Sequence, residues 1–236
     1  MKKLISIMLV LLLALLAGCA ADEEQTDAVV EVPTDTPTAA TPIETAAEEQ
    51  PTEWDAGSGL KVVSVGKYAG YYVEDGSDET VSDVCAITVE NTSDKTVQYA
   101  NLAVIVAGET YEFDVTTLPA GARAQLLELN RKAAPETTSG LSAVTVMYGA
   151  FEEEPSLNSD VLEITGEDTA ITVTNISDKD LGQIYVYYKV AYDNLYIGGI
   201  TYRVGISSLA AGQSATCYAG HYTVDYASIM FTTYEQ

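Results

Sequence analysis

The stretch that indicates the fold occurs twice in the chain, as AITVENTSDK at Ala86–Lys95 and as AITVTNISDK at Ala170–Lys179. Each copy begins with alternating residues rich in valine, isoleucine and threonine, a pattern typical of a β-strand. Each copy then continues into Asn-x-Ser-Asp-Lys, and Asn and Asp readily adopt turn geometry. The stretch therefore predicts a strand that ends in a tight turn, at two places in the chain.

The similarity between the two copies extends beyond these residues. One further strand aligns without a gap, and the next aligns after about seven extra residues in the second copy. The corresponding positions are Leu102/Val186, Val104/Tyr188, Val106/Val190, Tyr111/Tyr202, Phe113/Val204, Val115/Ile206, Leu118/Leu209 and Gly121/Gly212. Internal repeats of this kind indicate repeated structural units. We expect two domains of one fold, residues 59–151 and residues 152–236.

The region after Gly59 reads as a series of short strands separated by turn residues. Leu60–Val65, Tyr111–Val115, Val144–Tyr148 and Ile229–Tyr234 are rich in β-branched and aromatic residues. No window in this region has a convincing amphipathic helical pattern with caps. Many short strands with regularly spaced turns favour an all-β fold, here two tandem β-sandwich domains.

The N-terminus has the features of an export signal. Lys2 and Lys3 precede the apolar run Leu4–Leu16, and Leu16-Ala17-Gly18-Cys19 follows. A positive start, a short apolar core and small residues at the cut are typical of a secretory signal. The apolar run is shorter than the roughly 20 residues that span a bilayer.

Leu16-Ala17-Gly18-Cys19 resembles the bacterial lipobox at all four positions. The resemblance implies that the thiol of Cys19 receives a diacylglyceryl group and that a peptidase then cuts before it. Residues 1–18 are then a signal peptide, and the mature protein is extracytoplasmic and lipid-anchored to the bacterial cell membrane. The alternative is an ordinary signal peptide with a chance cysteine.

Residues 19–58 form a linker of biased composition. Between Ala20 and Ser58 there are eleven acidic residues and no Lys or Arg, with repeated Thr and Pro. Low hydrophobicity and charge of one sign disfavour a packed core. We expect a disordered acidic tether between the lipidated cysteine and the domains.

Composition limits the classes of partner and the kinds of side-chain chemistry that the protein can have. The formal net charge of −24 excludes nucleic acid and anionic headgroups as partners. Export would permit a disulfide between Cys85 and Cys217, but their non-equivalent positions in the repeat predict that both are unpaired. The one histidine, His221, follows a glycine beside a predicted strand, and we expect it to be structural.

The order of strand, Asn/Ser/Lys turn, strand and Leu-x-x-Gly turn resembles the small immunoglobulin-like modules of bacterial envelope proteins, including FxLYD-type domains of lipoproteins. The Phe-x-Leu-Tyr-Asp signature itself does not occur in the chain. The resemblance implies an immunoglobulin-like sandwich and an extracytoplasmic location. It implies no reaction, because a fold alone does not determine function.

Tyrosines mark the candidate binding surface. Tyr185 and Tyr187 share a strand face with Lys189, and we expect this face to point outward. The extra segment Tyr192–Gly199 adds Tyr192 and Tyr196 and should form a longer hairpin tip or loop. Tyrosine is common in binding surfaces. The alternative is that tyrosine is frequent here because it favours strands.

No sequence pattern indicates an enzyme, a metal site or a cofactor. The acidic stretch Glu74–Glu79 does not match a calcium-binding loop, and we expect a solvated loop. No nucleophile motif or phosphate-binding loop is present. The sequence favours a cell-surface lipoprotein that binds a protein, a glycan or another envelope component. The alternatives are a structural or accessory subunit of an envelope complex and a carboxylate-based hydrolase.

Overall fold

The structure is a computed structural model, and it describes Glu44–Thr45 and residues 53–77 and 79–236. These residues belong to one compact unit, Thr38–Gln236. The fold is all-β, which confirms the predicted class. None of the described segments forms an apolar helix of the length needed to span a bilayer. The predicted signal peptide, Cys19 and most of the predicted linker lie outside the described residues. The expectation of disorder is wrong at the end of that linker, because Trp54–Gly57 forms a strand paired with the first copy and buries Ala56.

The described residues form fifteen strands in chain order. Up to the end of the first repeat copy they are β1 Glu44–Thr45, β2 Trp54–Gly57, β3 Leu60–Tyr71, β4 Thr80–Asn91, β5 Val97–Val106, β6 Glu109–Leu118, β7 Arg123–Leu127 and β8 Ser142–Ala150. In the second copy they are β9 Leu162–Glu167, β10 Ala170–Asn175, β11 Ile184–Tyr192, β12 Leu195–Ile197, β13 Tyr202–Ile206, β14 Ser214–Tyr218 and β15 Ala227–Tyr234.

Corresponding strands of the two copies pair in the same order. In the first copy the orders are β3-β4-β7 and β6-β5-β8, and β2 also pairs with β3. In the second copy they are β9-β10-β14 and β13-β11-β15. The short strand β12 pairs antiparallel with β11 and parallel with β7, so it connects strands of the two copies.

The strand register agrees with the alignment of the two copies. Leu102 lies opposite Phe113 in the first copy, and Val186 lies opposite Val204 in the second. Val104 likewise lies opposite Tyr111 in the first copy, and Tyr188 lies opposite Tyr202 in the second. A slip of one residue would turn every core side chain to the other face of the sheet. The alternation in the sequence therefore specifies which side chains enter each core.

Each copy buries its own apolar cluster. The first cluster draws on both sheets of the first copy, with Ile87 from β4 and Phe113 from β6. The second draws likewise on Ile171 from β10 and Val186 from β11. A smaller cluster around Tyr68 lies near the turn that joins β3 to β4. Burial of these side chains supplies most of the driving force for folding.

The repeated asparagine forms the same turn in both copies. Asn175 Nδ2 donates to the carbonyl oxygens of Lys179 at 2.7 Å and Leu209 at 3.0 Å, and its Oδ1 accepts from Ser177 N at 3.0 Å. Asn91 makes the corresponding contacts with Lys95, Leu118 and Ser93. Both asparagines are fully buried. Each side chain therefore ties the end of one strand to the Leu-x-Ala-Gly turn.

Replacing Asn175 with alanine is expected to lower the free energy of unfolding by about 2 to 3 kcal/mol, because buried backbone groups lose their partners. Urea denaturation of the full chain would measure the change. Asp178→Ala, an exposed residue of the same turn, serves as the control and should change stability by less than about 0.5 kcal/mol. An equal effect of the two substitutions would contradict the role of the amide.

Candidate binding surface

The extra segment of the second copy extends the β-structure rather than forming an open loop. Asp193 and Asn194 have φ values of 50° and 66°, as the two central residues of a tight hairpin turn require. The chain then returns as β12 along β11. The extra length is thus absorbed as strand pairing, one of the two outcomes that the alignment allows.

The C-terminal part of this segment lies buried between the two copies, so the expectation of a longer hairpin tip or loop is wrong there. Ile197, Gly198 and Gly199 are buried. Strand β12 pairs with β7, and Gly198 N donates to Gln125 O at 2.7 Å. Pairing with β7 satisfies backbone groups that a buried loop would leave without partners.

Lys189 lies at the centre of this contact and is fully buried. Its Nζ donates to the carbonyl oxygens of Thr116 at 3.0 Å, Gly199 at 3.0 Å and Ile200 at 2.7 Å. Three acceptors match the three donors of an ammonium group. The strand alternation places Lys189 on the face of Tyr185 and Tyr187 as predicted, but the first copy covers that face here, so the lysine does not point to solvent.

Glu74, in the turn between β3 and β4, takes part in the same contact between the copies through its carboxylate. Its Oε1 accepts from Leu127 N at 2.8 Å, and its Oε2 accepts from Gly199 N at 2.7 Å. The prediction of a plain solvated loop is therefore wrong at Glu74. Two other acids of the loop, Asp75 and Glu79, form exposed ion pairs with Arg131 at 2.8 and 2.5 Å.

Burial shifts the pKa values of both charged groups in the contact. Removal from water lowers the pKa of Lys189, and the charge of Glu74 opposes that shift. Removal from water raises the pKa of Glu74, while its backbone hydrogen bonds and the charge of Lys189 oppose the rise. Each group therefore favours the charged form of the other, and loss of either removes that stabilisation.

Tyr185 and Tyr187 form one partly exposed aromatic cluster on the β11 face. The ring of Tyr187 stacks on Phe231 with centroids 4.2 Å apart and an interplanar angle of 8°. Tyr185 lies 6.4 Å from Tyr187, and the guanidinium carbon of Arg203 lies 4.6 Å from the Tyr185 centroid. Such a cluster offers rigid apolar area with polar groups at its margin.

The other two predicted tyrosines lie elsewhere. Tyr192 is 48% exposed and stacks on Tyr226 with centroids 5.9 Å apart. Tyr196 packs against the apolar core of the first copy. The structure thus brings Tyr185 and Tyr187 together but does not join all four tyrosines into one surface. Their roles in binding remain predictions.

Tyr196 also lines an open cleft of about 490 Å³ between the two copies. The turn Ala120–Ala122 forms one side, and Asp193, Asn194 and Asp225 lie on the other. Small and polar residues dominate the lining. Within the described part of the chain, no group of three or more His, Cys, Asp and Glu side chains could hold a metal ion.

The cysteines and the histidine have separate surroundings. Cys85 and Cys217 are both free, as predicted. Cys85 is buried, and burial raises its pKa to about 12. His221 stacks on Tyr202 with centroids 4.4 Å apart, and Tyr202 donates its hydroxyl to Val73 O at 3.0 Å. His221 therefore lies beside the contact between the copies, and its structural role remains a prediction.

Sequence reasoning missed the residues that join the copies, chiefly Glu74, Lys189 and Gly199. Lys189 interrupts an otherwise apolar and aromatic strand, which is the one local signal of an unusual environment. Its partners come from segments far away in the chain, and no local pattern identifies them. No protein-family model matches the chain, and no curated protein matches it as a relative.

Proposed function

We propose that this protein is an extracytoplasmic lipoprotein, cut before Cys19 and held on the bacterial membrane by lipid on that cysteine, that binds another protein or glycan of the envelope. Residues 59–151 and 152–236 act as two immunoglobulin-like β-sandwich domains. The part of residues 19–58 that precedes β2 acts as the tether, since β2 pairs with β3 and belongs to the first copy. The protein catalyses no reaction and needs no cofactor. The observation that carries the proposal is the aromatic cluster of Tyr185 and Tyr187 on a tightly joined scaffold.

The contact between the copies supports a binding function. Lys189, Glu74 and β12 connect the two copies through partly buried hydrogen bonds and strand pairing rather than through a flexible hinge. A surface held in one conformation loses less entropy when a partner binds. Tyrosine adds contact area at a low cost in side-chain entropy.

The binding role is tested by photo-crosslinking in cells that produce the full chain. A photoreactive phenylalanine analogue replaces Tyr185 or Tyr187, and a matched control replaces Tyr218, which is 82% exposed on β14. We expect discrete crosslinked adducts from Tyr185 and Tyr187 and none from Tyr218. The same adduct pattern from all three positions, or no adduct from either test position, would refute the proposed surface.

Anchoring is tested separately with a fatty-acid probe. Cells that produce the wild type should incorporate the probe into this protein, and Cys19→Ala should abolish labelling because the thiol is the acylation site. Cys217→Ala serves as the matched control and should be labelled like the wild type. Labelling of Cys19→Ala at the wild-type level would contradict the lipoprotein assignment.

A further inference from the structure

The open cleft between the copies depends on the extra segment of the second copy. One of its walls contains Asp193, Asn194 and Tyr196, which lie in the hairpin of β11 and β12. At the matching place in the first copy, β5 ends at Val106 and β6 begins at Glu109, so only a two-residue turn is present there. The extra segment thus joins the copies and also adds polar side chains to a cavity.

The walls of this cleft are held in fixed positions relative to one another. The turn of residues 120–122 forms part of the lining, and β12 pairs in parallel with β7, the strand that directly follows this turn. Ala191 N donates to Tyr226 O at 2.9 Å, and Tyr192 stacks on Tyr226. Both contacts hold Asp225, the residue before Tyr226, next to the hairpin. A preformed cavity loses less entropy when a ligand binds.

The polar side chains of the cleft are available to a ligand. Among the described residues, none forms a hydrogen bond or an ion pair with the side chains of Asp193, Asn194 and Asp225. The two carboxylates only accept hydrogen bonds, whereas the amide of Asn194 both donates and accepts. None of the described residues that line the cleft is Lys or Arg. The cleft therefore disfavours an anion and suits a ligand that carries several hydrogen-bond donors.

Small apolar patches lie between these polar groups. Four alanines contribute to the lining, namely Ala120, Ala122, Ala191 and Ala227. The volume of about 490 Å³ falls within the range of small-molecule sites. An uncharged sugar with an acetamido group matches this lining, because its hydroxyls and N–H donate, its carbonyl accepts and its methyl group is small and apolar. A simple cation would engage only the carboxylates.

The cleft is separate from the aromatic cluster of Tyr185 and Tyr187. Tyr187, Lys189 and Ala191 follow one another along the same face of β11, and the first copy covers that face at Lys189. Tyr187 and Ala191 are therefore about 13 Å apart along the strand, on either side of the contact between the copies. A ligand in the cleft would not occupy the aromatic cluster.

We propose that the cleft between the copies binds an uncharged, N-acetylated sugar. The carboxylates of Asp193 and Asp225 accept hydrogen bonds from its hydroxyls and its acetamido N–H, and Asn194 Nδ2 donates to its carbonyl oxygen. The methyl group contacts the alanines of the lining. This inference goes beyond the proposed function, which concerns the aromatic cluster, because it assigns a second site and the class of its ligand.

Isothermal titration calorimetry of the full chain in detergent tests the ligand class with the trimers of N-acetylglucosamine, glucose and glucosamine. High salt screens the net charge of −24, so that long-range attraction of the cationic glucosamine trimer does not dominate. The N-acetylglucosamine trimer should bind at least about tenfold more tightly than either of the others, because a polar site rejects a ligand that leaves its groups unpaired.

Three outcomes of the titration would overturn the proposal. Absence of binding by the N-acetylglucosamine trimer would show that the cleft holds no such sugar. Equal binding of the glucose trimer would remove the role of the acetamido group. Tighter binding of the glucosamine trimer would assign the cleft to a cation.

Two variants locate the binding in the cleft. Asp225→Ala removes one carboxylate and should weaken binding of the N-acetylglucosamine trimer about tenfold. Asn194→Gly removes the amide and should weaken it about fivefold, while glycine retains the turn because it accepts the φ of 66°. Asp178→Ala is the matched control, since Asp178 is exposed outside the cleft, and it should bind like the wild type. Circular dichroism verifies folding, and unchanged binding in both folded cleft variants would refute the inference.

Failure of this inference is distinguishable from failure of the proposed function. Crosslinks at Tyr185 and Tyr187 without binding of the N-acetylglucosamine trimer would refute the sugar site and leave the proposed surface standing. Sugar binding that Asp225→Ala weakens, without crosslinks at either tyrosine, would support the cleft and refute the aromatic surface.

Discussion

Replacing Lys189 with methionine is expected to lower the free energy of unfolding by about 3 to 5 kcal/mol, the usual range when one partner of a buried charged contact is removed. Methionine fills much of the same apolar space but donates no hydrogen bond. The carbonyls of Thr116, Gly199 and Ile200 would lose their shared donor. Glu74 would also lose the nearby positive charge.

Urea denaturation of the full chain measures this change. Lys179→Met is the matched control, because Lys179 lies exposed in the turn after β10, and it should change stability by less than about 0.5 kcal/mol. A Lys189→Met variant as stable as the control would show that the ammonium contributes nothing net to the contact.

The difference in stability between wild type and Lys189→Met should also widen as the pH rises from about 7 to about 10. Burial lowers the pKa of Lys189, so the unfolded wild type holds more protons in this range and the wild type gains stability with rising pH. In the variant, loss of the lysine charge raises the pKa of Glu74 further. The folded variant then holds more protons at Glu74 than the unfolded variant does, so the variant loses stability as the pH rises toward that pKa. A difference that narrows would contradict both shifts.

Replacing Gly199 with alanine is the second change with a large expected effect. A Cβ at this position would lie 1.8 Å from Asp114 O and 2.8 Å from Asp114 C, so backbone would have to move. We expect a loss of about 3 kcal/mol in the free energy of unfolding, the upper end for overpacking. The movement would also break the hydrogen bonds of Gly199 with Thr116 and Glu74.

Gly220→Ala is the matched control for this prediction. A Cβ at Gly220 meets no atom within 4 Å, and the substitution should change stability by less than about 0.5 kcal/mol. Amide hydrogen exchange reports the location of the damage, because Thr116 N donates to Gly199 O at 2.8 Å and should lose protection in Gly199→Ala. Retained protection at Thr116 would mean that the contact between the copies tolerates the methyl group.

The sequence by itself determined the all-β class, the positions of the main strands and the register that the two copies share. These features depend on local patterns, such as the alternation at Tyr111–Val115 and the turn after Asn91 and Asn175. A period of two places a side chain on one face or the other, and a short turn fixes which residues lie opposite each other.

Only the tertiary structure decided what covers each strand face. Lys189 follows the same alternation as Tyr187, yet it is buried because Thr116 and Gly199 lie over it. Glu74 reads as part of a solvated acidic loop, but backbone N–H groups of Leu127 and Gly199 surround its carboxylate. The physical reason is that burial depends on segments distant in sequence that meet only after folding, whereas period and turn chemistry act between neighbouring residues.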